Sequence, residues 1–131
     1  MAATGKRIVT PLKRVKGLGA AHTGTHHFIV QRVTALALVP LTLWLVWLVL
    51  GLVGQDPFVV RARLAEPWTS TLLVAYIIAF FWHMQLGLQV VIEDYVHTRW
   101  METTLQIAVK FVAFLGAILA TLSVIRIALG N

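Results

Sequence analysis

The chain has 131 residues, of which 59% are hydrophobic and 12% charged, with a formal net charge of +6 and a mean hydropathy of +0.83. A soluble domain carries about a quarter of its residues charged, disordered chains are poor in apolar residues, and one small domain has too little interior to hide this much apolar surface. Both a water-soluble globule and a disordered chain are therefore excluded, and lipid is the remaining solvent.

Residues 1–31 are polar and basic: Lys6, Arg7, Lys13, Arg14 and Lys16 fall in the first 16 residues, where no acid occurs. Pro11 and several glycines argue against a long helix here. A secretory signal needs its apolar core directly after a short basic start; this segment instead leads into an apolar run that begins near Val33. The acid-free start also has the composition of an organellar transit segment. A basic balance can point to nucleic acid, but beside an apolar span it reads as membrane topology, and no nucleic-acid partner is expected.

Three membrane-spanning helices are predicted, at about 33–54, 67–92 and 103–129, within a domain of residues 32–131. A span needs about 20 apolar residues. From Val33 to Gln55, 23 positions carry no charge, and Pro40 lies inside this run; lipid-embedded helices tolerate such a proline because neighbours take up the lost bond. From Pro67 to Ile92, 26 positions carry none. The third span contains Lys110 and closes at Arg126. Lys110 falls about two turns from the expected start, where its stem can snorkel to the interface. The intervening segments 54–66 and 93–102 read as short links, with Trp68 and Trp100 at the expected interfaces. The fold class is thus all-α, a three-helix membrane domain.

The Lys/Arg bias sets orientation. Residues 1–32 with the second link carry seven cations, against two, Arg61 and Arg63, on the first link. The N-terminus and second link are expected in the cytoplasm and the C-terminus in the periplasm.

Polar residues inside a span are costly and mark partners or functional paths. The second span contains His83, Gln85 and Gln89. His83 lies ten residues before Glu93, about 15 Å deep at a helical rise, near the middle of a hydrocarbon core about 30 Å thick. An imidazole there either hydrogen-bonds a neighbouring helix or ligates haem iron, since haem is a large apolar plate with His as a common axial ligand. On a helical wheel, Gly87 and Asp94 fall roughly 40° and 20° from His83, and the small Gly87 leaves room for a macrocycle or for a neighbouring helix. Cysteine is absent, so disulfides, thiolate metal sites, iron–sulfur ligation and Cys-linked haem are excluded for this chain. No other His lies inside a span, so a two-histidine haem would need its second ligand from another chain. At the cytoplasmic rim, His26, His27 and Arg32 face Glu93, Asp94, Tyr95, His97 and Arg99 across the topology. They form either a solvated rim or a site for a polar head group entering from lipid, with Tyr, Arg or His donors for a quinone carbonyl and Arg for a haem propionate.

The segments GTHHFIVQRVTALALVPLTLW (24–44) and HMQLGLQVVIEDYVH (83–97) resemble the first and second helices of the hydrophobic membrane-anchor (D) subunit of succinate dehydrogenase, complex II. The likeness spans residue 24 to about 129, with alphaproteobacterial wording. It implies a subunit that pairs with a cytochrome b (C) anchor and tethers an iron–sulfur protein and a flavoprotein. The complex passes electrons from succinate to ubiquinone in the tricarboxylic acid cycle and respiratory chain, with haem b between the anchors. Residue by residue, His83 matches the haem axial ligand and thus the iron-binding residue. Tyr95 matches the tyrosine that hydrogen-bonds ubiquinone, and Asp94 its neighbouring aspartate. Arg32 and His26 match residues of the haem-propionate region. His27 stands where some relatives carry an acid and receives no role; neither does segment 1–23 beyond topology and subunit contact. The chain itself does not oxidise succinate, having neither cluster ligands nor a flavin domain. The resemblance places it in the bacterial inner membrane, with the mitochondrial inner membrane as second choice. Two other readings are a haem-free structural anchor of a succinate or fumarate oxidoreductase and a small transporter subunit. The latter is disfavoured because spans one and three lack a polar row apart from Lys110.

Overall fold

The computed structural model describes residues 22–130. The five cations of the basic start, with Pro11, lie outside the described residues. The described residues form four helices: α1 (His22–Leu52), α2 (Pro57–Ala65), α3 (Pro67–Tyr95) and α4 (Arg99–Ala128). No strand occurs among the described residues.

Three of the helices, over Gly24–Leu52, Pro67–Tyr95 and Arg99–Ala128, are long and apolar enough to cross a membrane. At about 1.5 Å per residue each runs to roughly 45 Å, so their ends extend beyond a hydrocarbon layer about 30 Å thick. The all-α, three-span architecture expected from the charge-free runs is therefore the one observed.

Two features differ from the sequence expectation. First, α1 begins at His22, eleven residues before Val33. The charge-free run begins only after Arg32, whereas a helix continues wherever its backbone bonds can form; HTGTHHFIVQR contains no proline to stop it. Pro40 is likewise accommodated within the continuous α1, as lipid-embedded helices allow.

Second, the link after α1 is not only a loop. Gly54 takes a φ of +76°, a left-handed conformation that glycine adopts without steric cost, and the chain then enters α2. The Asp56 carboxylate accepts a hydrogen bond from the Phe58 backbone N–H at 2.8 Å, with Pro57 at the first helical position; both are standard helix-starting devices. Pro67 ends the element by holding Glu66 extended, at φ −57° and ψ 131°. At this corner Arg63 donates to Glu66 at 3.1 Å, and the buried Thr69 hydroxyl donates to the other Glu66 oxygen at 3.3 Å. α2 packs on both α3 and α4.

α3 is the central element, packing against α1 on one side and α4 on the other. The apolar core is a thin seam of Leu48, Leu86, Ile92 and Ala113. Large apolar residues such as Leu36, Leu50, Phe111 and Leu119 are exposed on the outer faces, as expected where the solvent is lipid or another apolar subunit.

Candidate functional site at the centre of α3

His83 lies twelve residues before the end of α3, about 18 Å along its axis. Its side chain is half-buried. The ring Nδ1 lies 3.0 Å from the Thr34 hydroxyl of α1, a contact across 49 residues of sequence. The same hydroxyl lies 2.8 Å from the Val30 carbonyl and 3.0 Å from that of Gln31. Among the described residues, no hydrogen bond of His83 runs from Nε2. One turn on, a Cβ added to Gly87 would meet nothing within 4 Å. Gly87 therefore leaves open the position that a side chain would fill on the face of α3 that carries His83.

Thr34 is the residue that reading the sequence missed. Its signal was present, as one of few polar residues in the first apolar run, but nothing in a linear pattern pairs it with His83.

The Thr34–His83 contact also fixes the vertical register of the antiparallel α1 and α3. Arg32 precedes Thr34 by two residues, so it lies within about 3 Å of His83's level along the axes. Tyr95 lies about 18 Å away, towards the end of α3. The structure therefore does not gather Arg32 with Asp94 and Tyr95 at a common rim. Arg32 and Thr34 are also roughly 160° apart around α1, which puts Arg32 on the side away from α3. Its guanidinium stacks over the Phe28 ring at 5.2 Å, a cation–π contact. His26 is exposed, with its ring edge-on to His27 at 6.5 Å. Asp94 is exposed, and Tyr95, the last residue of α3, is 80% exposed. His97 follows the helix and leaves the wheel on which it would align with His83. The sequence-predicted site residues thus occupy two levels of one side of the protein, and those at the outer level stand open to whatever covers them.

The opposite side of α3 is different. Phe81 and Gln85 lie roughly 160° around the helix from His83. They line a cavity of about 590 Å³ with Trp82, Lys110, Phe111 and Phe114 of α3 and α4. Lys110 sits eleven residues into α4, about three turns from its start rather than two. Toward the end of α3 on the α4 side, Glu93 accepts hydrogen bonds from Gln89 at 2.9 Å and Gln106 at 3.4 Å. Gln106 also donates to Glu102 at 3.3 Å. Among the described residues no group of three or more His, Asp or Glu side chains converges as a metal cage; a single imidazole directed at a haem iron is not of that kind.

Comparison with known proteins gives a consistent answer. The family described as Succinate dehydrogenase/Fumarate reductase transmembrane subunit matches residues 6–117. The succinate dehydrogenase hydrophobic membrane anchor subunit of Rickettsia bellii (strain RML369-C) is 37% identical over 102 residues, covering 78% of this chain and 82% of that relative. The subunit of the same name from Paracoccus denitrificans is 32% identical over 89 residues, covering 68% of this chain and 69% of the relative. The succinate dehydrogenase membrane anchor subunit of Reclinomonas americana is 34% identical over 79 residues, covering 57% of this chain and 65% of its own length. No solved structure matches.

Proposed function

The chain belongs to the succinate dehydrogenase/fumarate reductase transmembrane subunit family, and from that premise we propose that it is the hydrophobic membrane-anchor subunit of a succinate:ubiquinone oxidoreductase. In this reading it tethers the flavoprotein and iron–sulfur subunits to the bacterial inner membrane together with a cytochrome b anchor subunit. It supplies one axial ligand to a haem b and part of the ubiquinone site. The excess of Lys and Arg in residues 1–32 supports a cytoplasmic N-terminus and a periplasmic C-terminus.

The observation that carries the haem assignment is His83 itself. It is a half-buried imidazole midway along a spanning helix, with Nδ1 held by a hydroxyl and no hydrogen bond from Nε2 among the described residues. The small Gly87 lies on the same face with open space beyond it. These features fit an axial ligand, and the second ligand then comes from the partner anchor. Bound there, haem b supplies a one-electron store beside the route to quinone.

The chain's own residues have separable tasks. His83 would hold the haem iron through Nε2. Arg32 and His26 are carried to the haem-propionate region by the resemblance alone; in this structure Arg32 lies at the depth of His83 but is turned to the outer face of α1, over Phe28. At the end of α3, the Tyr95 hydroxyl donates to a quinone carbonyl and Asp94 holds a proton for its reduction. Their exposure supports a site completed by the other subunits. The test is the haem b absorption spectrum of the purified complex. It is expected to vanish in His83→Ala; a spectrum that persists unchanged would remove His83 from the site. A haem-free wild-type complex would leave the anchor role alone.

A further inference from the structure

We infer that Thr34 is the positioning residue of the haem site: its hydroxyl holds the His83 imidazole in the Nδ1–H form and so reserves Nε2 for iron. This rests on His83 being the axial ligand.

The tautomer follows from a count of protons. A threonine hydroxyl has one hydrogen to donate and lone pairs with which to accept. In α1 the Thr34 hydroxyl lies 2.8 Å from the Val30 carbonyl and 3.0 Å from the Gln31 carbonyl, the back-bonding geometry familiar for threonine in helices. Carbonyl oxygens only accept. When the hydroxyl donates to one of them, its remaining contact, 3.0 Å from His83 Nδ1, must be one in which the ring N–H donates. Both hydrogen bonds are then made, and the nitrogen without a proton is Nε2. In the alternative tautomer the hydroxyl turns to donate to Nδ1, the back-bond is lost, and an Nε2–H donor is left with no partner among the described residues. An unmet donor in an apolar setting is costly. The hydroxyl relay therefore selects the tautomer that a metal needs.

The relay reaches further than the tautomer. A ligating imidazole whose other nitrogen donates a hydrogen bond is more basic and is fixed in orientation. Because the acceptor sits on α1 and the ligand on α3, the same bond sets how far the two helices slide past each other. Helix register and ligand orientation are coupled through one oxygen atom.

The test uses the intact purified complex with Thr34→Val, which has nearly the same shape without the hydroxyl, and Thr34→Ser, which keeps it. In Thr34→Val the low-spin haem signal in electron paramagnetic resonance is expected to shift. The haem midpoint potential is expected to rise, because a less basic ligand favours the ferrous state, and haem release in detergent to speed up by about 10-fold or more. Thr34→Ser is expected to restore all three toward wild type. A haem signal, potential and release rate in Thr34→Val equal to those of wild type would overturn the inference. If Thr34→Val does not assemble, Thr34→Ala removes the hydroxyl without added volume and carries the same expectation and the same overturning result. Haem that is lost in His83→Ala but unaltered in Thr34→Val defeats only the role of Thr34; haem that survives His83→Ala defeats the ligand assignment beneath it.

Discussion

The two sides of α3 are built from different interactions. Towards α1 a polar contact, Thr34 to His83 at 3.0 Å, lies near the middle of the helix, with Gly87 opening space one turn on. Towards α4 the mid-helix contact is apolar and close. A Cβ on Gly116 would fall 2.7 Å from the Phe81 ring, so the absent side chain lets α4 approach. The hydrogen-bonded polar groups on that side, Gln89, Glu93, Gln106 and Glu102, are displaced towards the end of the helix, while Gln85 and Lys110 line the cavity between the two helices. Inside lipid, apolar burial does not distinguish helix partners, because lipid tails are as apolar as leucine; close packing through small residues and a few hydrogen bonds do. The α4 side of α3 uses the first device and the α1 side the second, and the side with the mid-depth hydrogen bond is the one that carries the proposed haem ligand.

This contrast can be broken by substitution. The largest expected effect is on the α1 side: His83→Ala should abolish haem b absorbance in the purified complex while the subunits still copurify, because the α3–α4 contact is untouched. Loss of the whole complex would mean that the α1 side is also structural. Next, Gly116→Leu should destabilise the α3–α4 pair by about 1–3 kcal/mol through overpacking against Phe81. This would be read as a lower melting temperature of the complex, with an unchanged haem line shape in the surviving fraction. An altered line shape would show the two sides of α3 to be coupled.

Smaller effects sharpen the picture at the ends. Tyr95→Phe removes one hydroxyl, worth about 1 kcal/mol. Ubiquinone reduction should fall several-fold, with electron transfer to an artificial soluble acceptor unchanged; equal loss in both assays would indicate damaged assembly instead. The smallest effect is expected at the α2–α3 corner. Arg63 and Glu66 are paired at 3.1 Å with both side chains about half exposed, so Glu66→Gln should change stability by less than about 1 kcal/mol, as for other exposed ion pairs. Thermal melting of the complex would detect a larger change.

Much of this molecule is legible as a string of residues. The first two spans follow from runs without charge and the third from an apolar run interrupted by Lys110, because in lipid a charge is costly enough to mark most borders. His83 stands out for the same reason, as an ionisable side chain where lipid tolerates few. Asp94 and Tyr95 are recognisable beside it through the resemblance of HMQLGLQVVIEDYVH to a known helix. The helix ends and links were less legible. The eleven extra residues of α1 depend on backbone hydrogen bonding, and the short α2 on Asp56, Pro57 and Pro67 at its ends; hydropathy is blind to both.

Relations between helices required the fold. Arg32 and Tyr95 look like neighbours when spans are drawn as columns with flush ends. The register of α1 on α3 separates them by about 15 Å along the axis, and the phase of α1 turns Arg32 to the far side. Thr34 is an ordinary hydroxyl residue until packing brings it to His83 across 49 residues. Composition and charge spacing decide which segments enter lipid, because each residue's transfer cost is nearly its own. Sliding and rotation between helices depend on which side chains meet, and that was decided only when α3 packed against both neighbours.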